Sequence, residues 1–392
     1  MNRKNVCTLI GSMFFISAAY TMLVPFLPLY LIELGVMGDD VKLWNGMVFS
    51  VCFFVAGIMG PVWGKLADTR GKKKMVMRAG ILIGVSYFLC GLVQNEWQLF
   101  GARAFQGFAN GFVAAALAIL SQSVPEDDLG TTLGFAQTAL IVGGIMGPIM
   151  GGFMAEMFGM RYSFFVGAAI LWLVTLAVWR FVQDKNIETK EEQGSIADDL
   201  RYAYGNGHIR RLLLYYLTFQ SGIMMISSIT PLYIGELLGT LENIQMTSGM
   251  ILSLGGIAGA ATTALWGKFS QRNGYFFTMT ITLSVGGALM ALQAFPQTIL
   301  GFAAFQFAVG CFHIGTNPAM NSAFAKYSPP DFKGRVFGLA STAQQFGNMI
   351  GPLLSVVVTL CFPMYSVYLI AGTIQLAVAA YIAYYHVRKE ER

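Results

Sequence analysis

The chain has 392 residues, of which 55% are hydrophobic and only 11% charged, and its mean hydropathy is +0.60. Soluble domains average about 25% charged residues, so this composition excludes water as the main solvent and with it a string of soluble domains. The net charge of +5 does not point to nucleic acid, because the bases sit in short loops between apolar runs and report orientation instead.

A bilayer is crossed by about 20 apolar residues in helical form. Runs of that kind recur from end to end, and twelve spans are predicted, at 6–32, 43–64, 75–94, 98–122, 132–155, 162–182, 210–234, 246–267, 274–294, 298–324, 336–360 and 364–386. Backbone groups left unpaired in lipid cost several kcal/mol each, and barrel strands would be shorter and alternate in polarity, so the spans are helices. The expected fold is an all-α membrane protein of 12 transmembrane helices.

Span 1 follows a basic start, Arg3 and Lys4, as a signal peptide would. It is too long for one and has no A-x-A cleavage pattern before Glu33, so it reads as a retained helix. The loop after span 2 runs Gly64-Lys-Leu-Ala-Asp68-Thr-Arg70-Gly71-Lys72-Lys73, one acid among five nearby bases. Span 4 carries Arg103-Ala-Phe-Gln106-Gly107-Phe-Ala-Asn110-Gly111. A cation inside an apolar span is costly, so Arg103 should face the bundle interior, with Gln106 and Asn110 continuing its helical face; snorkelling to the outer surface near Trp97 is the plainer alternative. Span 5 holds Gly134, eight further residues, and then Gly143-x-x-x-Gly147-Pro148-x-x-Gly151-Gly152. Small residues at i and i+4 let helices approach closely, and the proline bends the helix where it packs.

After span 6 comes the one long polar stretch, Gln183 to His208, with Glu188, Lys190, Glu191, Glu192, Asp198 and Asp199. It divides the chain into a bundle at 1–182, a linker at 183–209 and a second bundle at 210–392. Comparing the chain with itself at a shift of about 203 supports the division. Pro28, Leu29, Tyr30, Glu33 and Leu34 return as Pro231, Leu232, Tyr233, Glu236 and Leu237. Gly46, Met47, Ser50, Trp63, Gly64 and Lys65 return as Gly249, Met250, Ser253, Trp266, Gly267 and Lys268. In span 11, Gly334, Gly338, Ala340, Thr342, Ala343, Gly347, Gly351 and Pro352 repeat the pattern of span 5 at a shift of 204. Two six-span halves of like topology are the parallel repeat of secondary transporters, whose substrate site lies near the midplane between repeats.

Lys65, Arg70, Lys72, Lys73, Lys74, Arg78, Lys268, Arg272, Lys326, Lys333 and Arg335 share one side with both termini, which makes that side cytoplasmic. The opposite loops hold Glu33, Asp39, Asp40, Glu96, Glu156 and Glu242 against only Lys42 and Arg161. The five cysteines lie singly within apolar spans, without a C-x-x-C pair or a histidine at ligand spacing, and read as packing residues. With three histidines and no G-x-x-x-x-G-K-[ST] loop, no enzyme constellation, metal site, cofactor site or ATP-driven pump is expected.

At the loop after span 2 the chain resembles the major facilitator superfamily, whose signature there is G-x-L-a-D-r-x-G-r-r; Thr69 departs from it, and the second copy has Gln271 in place of the acid. Asp68 would accept hydrogen bonds from the amides opening span 11 and pair with Arg70 or Arg335, latching the cytoplasmic side. A solvated acid in a basic loop is the plainer reading. The span 4 segment is similar to the pattern of proton-coupled members, and the span 5 segment matches the family's antiporter motif. Pro25-Phe-Leu-Pro-Leu-Tyr30 and Trp44-Asn-Gly-Met-Val-Phe-Ser50 resemble the bacterial twelve-span drug:proton antiporters, the multidrug resistance proteins among them. That resemblance implies a monomer in the bacterial inner membrane that exports hydrophobic, often cationic, compounds by alternating-access exchange with protons.

In that architecture spans 1, 4, 7 and 10, with parts of 5 and 11, line the cavity. The polar candidates there are Tyr20, Asn110, Gln137, Gln220, His313, Asn317, Gln344 and Gln345, among 31 Phe and 22 Met that would suit a promiscuous apolar binder. No Asp or Glu sits centrally in any span, so the proton-coupling candidates are the symmetric pair Glu33 and Glu236, with Arg103, and His313. Helix-end charges and a carbonyl-bonded histidine are the plainer readings. An exporter or flippase of one metabolite or lipid would share the antiporter motif, and a non-transporting membrane scaffold would tolerate its loss.

Overall fold

The structure is a computed structural model that describes residues 3–183, 196–240, 242–329 and 332–387; among them there is no β-strand. The sequence-derived fold class holds. Among the described residues, eleven helical stretches are long and apolar enough to cross a membrane. The remaining predicted span, 336–360, lies in a 29-residue helix that is long enough, but Thr342, Gln344, Gln345 and Asn348 dilute its apolarity.

In chain order the first half comprises α1 (Arg3–Leu23), α2 (Leu27–Glu33), α3 (Asp39–Arg70), α4 (Lys72–Leu92), α5 (Glu96–Ala109), α6 (Phe112–Gln122), α7 (Glu126–Phe158) and α8 (Met160–Phe181). Then follow α9 (Ile196–Gly205), α10 (Gly207–Ser227), α11 (Thr230–Leu238), α12 (Ile244–Asn273), α13 (Tyr275–Leu292), α14 (Ile299–His313), α15 (Thr316–Tyr327), α16 (Lys333–Cys361) and α17 (Ser366–Ile382). The predicted segments 1, 4, 7 and 10 are thus each two helices. Pro25 and Pro28 lack the amide that would continue α1, so a 3₁₀ turn at Val24–Phe26 intervenes before α2. Pro231 likewise opens α11. Between α5 and α6 the chain turns at Gly111, whose φ of +116° is a left-handed conformation natural to glycine. Asn95 and Thr298 start α5 and α14 as side-chain caps, accepting from the amides of Gln98 (2.9 Å) and Gly301 (3.3 Å).

The helices cluster into two compact units. Unit 1 is Met1–Met37, Phe54–Gln193 and Asn243–Ser253; unit 2 is Gly38–Phe53, Gly194–Glu242 and Leu254–Arg392. The first parts of α3 and α12 therefore belong to the unit built mainly from the other half of the chain. Within unit 1, α1 packs along α7 and α8, and α4 along α8. Within unit 2, α10 packs along α16 and α17, and α13 along α17. The core of unit 2 gathers Phe219, Phe276, Met279, Leu283, Met320 and Phe324. Large apolar side chains such as Leu173, Trp179, Leu265 and Leu300 remain exposed, as a surface facing lipid requires.

The repeat seen in sequence recurs in tertiary bonds. The Tyr30 hydroxyl donates to the Cys90 carbonyl at 2.8 Å, and Tyr233, its repeat mate, donates to the Ala294 carbonyl at 3.4 Å. Leaving such a buried acceptor unpaired costs about 1–3 kcal/mol. We expect Tyr30→Phe to lower the melting temperature of the detergent-purified protein clearly, and Tyr233→Phe, whose bond is longer, to lower it less. Equal melting of all three proteins would show that these bonds do not hold the units together.

Candidate functional site

The antiporter motif lies on α7 and is used for contact with backbone. Cβ atoms built on Gly143, Gly147 and Gly151 would run into α1, at the Phe14, Ala18 and Met22 carbonyls respectively. The three glycines form an i, i+4, i+8 stripe against which α1 lies at backbone distance. Ser17 reinforces the seam by donating to the Leu140 carbonyl at 2.6 Å. Gly152 faces elsewhere: its Cβ would meet the Gln245 carbonyl in the first turn of α12. Gly249 abuts the Pro148 carbonyl, and Ser253 donates to the Ile145 carbonyl at 2.6 Å. Gly134, by contrast, has open space where its Cβ would be. The motif thus clamps α7 between α1 and the start of α12, and its first glycine takes no part.

Unit 2 contains the same arrangement. Gly347 and Gly351 on α16 meet the Leu217 and Ser221 carbonyls of α10, beside Gln220, which is buried. Gly46 of α3 abuts the Pro352 carbonyl and Val356, and Ser50 donates to the Met349 carbonyl at 2.7 Å. Asn45 adds a bond to the Ser228 carbonyl at 2.8 Å. The pairs Ser50–Met349 and Ser253–Ile145 are repeat mates, as are Gly46–Pro352 and Gly249–Pro148. Sequence comparison found the matching residues; that they touch each other was not readable from it.

Arg103 is 2% exposed, and its Nη1 donates to Gln106 on the same helix, so it does not snorkel to a surface. Gln306, which follows Arg103 by 203 residues, accepts from Gln293 at 2.7 Å. Asn110 ends α5, exposed, its side chain accepting from the Gly111 amide at 2.7 Å. The residue that sequence reasoning passed over is Arg78. Its closeness to the basic loop counted it as an orientation signal, but the structure puts it inside the apolar stretch Lys72–Leu92. Its guanidinium stacks 3.6 Å from the Trp63 ring centroid and donates to the carbonyls of Asn110 (2.6 Å) and Ala109 (3.4 Å). Trp63 in turn donates to the Phe108 carbonyl at 2.8 Å.

The other candidates are dispersed. In the gating loop Gly64 has open space, Arg70 is exposed, Gly71 turns the chain at φ +96°, and Lys72 opens α4 half-buried. The Asp68 side chain lies outside what is described. Arg335, in unit 2, rests over the Phe332 ring at 4.6 Å. Glu33 and Glu236 are exposed at the ends of α2 and α11. His313 is buried within unit 2, edge-on to Phe219 at 5.7 Å and against Gly286. Tyr20, Asn317, Gln344 and Gln345 are half-buried, Gln137 is exposed, and Gln345 accepts from Asn348 at 3.3 Å.

Two all-helical units with repeated, glycine-mediated seams and interrupted helices define a transporter fold. A sequence profile of the Major Facilitator Superfamily matches residues 9–352 and 275–392, and the chain belongs to that family. It is 31% identical to the multidrug resistance protein MdtG of Dickeya zeae (strain Ech586) over 94% of this chain and 91% of that one. MdtG of Yersinia enterocolitica (serotype O:8 / biotype 1B) is 30% identical, over 94% and 89%. The resemblance to multidrug resistance proteins read from the first two spans is borne out. Among solved structures, the nucleoside transporter NupG superposes with a TM-score of 0.83 at 14% identity, covering 97% of this chain and 99% of that one. A bacterial homolog of the human lysosomal transporter Spinster gives 0.77 at 14%, covering 97% and 94%. At such identities these likenesses show the fold alone. The protein is a membrane transporter.

The motif glycines differ sharply in what surrounds them, which makes the seam testable. Gly151→Ala places a methyl against the Met22 carbonyl and should destabilise by about 1–3 kcal/mol, whereas Gly134→Ala should be neutral. Thermal unfolding of the two purified variants checks this; similar melting of both would show that α1 and α7 do not touch at Gly151.

Proposed function

We propose that this transporter exports hydrophobic compounds in exchange for protons, by alternating access, as a monomer in the bacterial inner membrane with both termini cytoplasmic. The observation that carries the reading is the doubled set of seams, Gly249 and Ser253 of α12 against α7 in unit 1, Gly46 and Ser50 of α3 against α16 in unit 2. Each seam consists of a glycine against a carbonyl and one serine hydrogen bond worth about 1 kcal/mol net. Contacts of that size can be broken and remade in every transport cycle, and their repetition suits an alternation between two states. The basic loop with Asp68, Arg70 and Lys72, together with Arg335, is the matching cytoplasmic gate.

Identity near 30% over almost the whole chain to proteins called multidrug resistance proteins supports the substrate class. The family's cationic drugs are the first compounds to try. Glu33 and Glu236 are the groups proposed to carry the proton, with Arg103 and His313 coupling it to movement. Gln220, Asn110, Gln137, Tyr20, Asn317, Gln344 and Gln345 are the polar groups offered to substrate among Phe and Met side chains.

Uptake of a fluorescent cationic dye into inside-out vesicles, energised by an imposed pH gradient, tests the exchange. The wild type should accumulate dye only with the gradient. Glu33→Gln/Glu236→Gln and Asp68→Asn should each reduce the rate about tenfold or more. If the folded, abundant wild type moves no dye, multidrug export gives way to an exporter or flippase of one metabolite or lipid.

A further inference from the structure

His313, the last residue of α14, and Gln375, midway along α17, lie inside unit 2 at 9% and 1% exposure. Glycines on two further helices make room for them. A Cβ on Gly286 of α13 would fall on the imidazole, and one on its neighbour Gly287 would crowd the Cβ of Gln375. A Cβ on Gly222 of α10 would meet the Gln375 amide nitrogen. Phe219, one turn before Gly222, stands edge-on to the imidazole at 5.7 Å. Four helices thus converge on one imidazole and one amide.

Gln375 is the polar side chain that acts on His313, yet among the described residues the imidazole Nε2 and both polar atoms of the amide have no well-formed hydrogen bond. Buried polar atoms left in that condition cost about 1–3 kcal/mol each, whereas apolar side chains of like shape would fill the space without that cost. Neighbouring charge does not explain the pair either. The helices α13, α14 and α17 contain no Asp, Glu, Lys or Arg. Those around them carry His208, Arg210 and Arg211 on α10, Lys326 on α15, and Lys333 and Arg335 on α16, each within five residues of a helix end. The tyrosines of these helices (Tyr215, Tyr216, Tyr275, Tyr327, Tyr368 and Tyr381) keep their protons near neutral pH. What the pair has and an apolar pair lacks is the ability to take up a proton. A neutral imidazole can accept at Nε2, and a protonated one donates there. An amide answers either state, through its N–H or, after a half-turn of its terminal torsion, through its oxygen. A carboxylate in its place would hold the proton, and an apolar side chain would refuse it.

We infer that Gln375 is the positioning residue for a proton taken up at His313, its amide turning over as the imidazole gains and loses charge. The inference rests on the proton-exchange reading and deepens it by naming what His313 does in unit 2 and which side chain serves it. The proton comes from water and returns to water, so one N–H bond forms at Nε2 and is broken again. The missing Cβ of Gly222, beside the amide nitrogen, leaves the amide space to turn.

The test is nitrogen-15 NMR of the full-length, histidine-labelled protein in detergent, titrated from pH 4 to 9, with the His313 signal identified by its loss in His313→Gln. Wild-type His313 should titrate. Gln375→Glu should bind the proton roughly ten- to a thousandfold more tightly, the range for a carboxylate beside a cation. Gln375→Met should bind it roughly ten- to a hundredfold more weakly, the range for a hydrogen bond to a charged group. The pH profile of gradient-driven dye export should move with the midpoint, to higher pH in the glutamate variant and to lower pH in the methionine variant, at unchanged KM for the dye. A residue that only packs would change the yield of folded protein and leave midpoint and profile alone. Equal midpoints in wild type and in either folded variant overturn the proposal. So does a wild-type His313 that does not titrate, a result that requires no variant to fold. The two readings fail separately: titration that answers to Gln375 without gradient-driven transport sinks only the exchange, and gradient-driven export whose pH profile ignores both Gln375 variants sinks only the pair.

Discussion

The constraint on which everything else depends is that, in lipid, every backbone amide and carbonyl has to find its partner inside the protein. Continuous helices satisfy it automatically, and most of this chain is continuous helix. The informative places are the breaks. Where α5 gives way to α6, the Phe108 and Asn110 carbonyls are taken by Trp63 and Arg78 from α3 and α4. Where α10 gives way to α11, Asn45 takes the Ser228 carbonyl. Where α14 gives way to α15, Trp266 and Thr262 share the Cys311 carbonyl. Each of these three interruptions is thus tied to a particular side chain on a neighbouring helix.

The same economy explains the glycines. With lipid tails as apolar as leucine, helices gain little from hydrophobic association and must adhere through close contact. Gly143, Gly147 and Gly151 bring α7 onto the backbone of α1, and Gly347 and Gly351 bring α16 onto α10. The seams at Gly249 and Gly46 are equally close but shorter, each fastened by one serine. Long glycine stripes therefore build the units, and short ones hold the segments of α3 and α12 that belong to the opposite half by sequence.

The arginines within the spans do not follow the repeat. Arg78 and Arg103 both lie in unit 1, and the positions that repeat them hold Ile281, Thr282 and Gln306. Duplication supplies two equivalent scaffolds, and specificity requires that they differ. Arg78 stands at the break of unit 1, where Asn110 is extended and Gly111 left-handed, and no Arg or Lys stands at that of unit 2, where Ile314 and Gly315 keep right-handed helical angles.

The sequence by itself determined the solvent, the all-helical class, the number of membrane-crossing segments to within one, and the internal repeat, because bilayer thickness and backbone pairing leave few alternatives for runs this long and apolar. It also pointed to the family, through the signature of the loop after span 2, a pattern that a short stretch of chain carries by itself. Segment 336–360 escaped the simplest apolarity test because its glutamines and asparagine serve packing and polar contacts instead of lipid. What only the tertiary structure decided is how these residues are used. Gly134 and Gly151 look alike in the motif, yet one faces open space and the other a carbonyl. Arg78 reads as one more loop base until α4 is seen to begin at Lys72 and carry it beneath Trp63. Span length and polarity are properties of a chain segment, whereas the surroundings of a single side chain depend on which helices are brought beside it, and that is fixed only by packing.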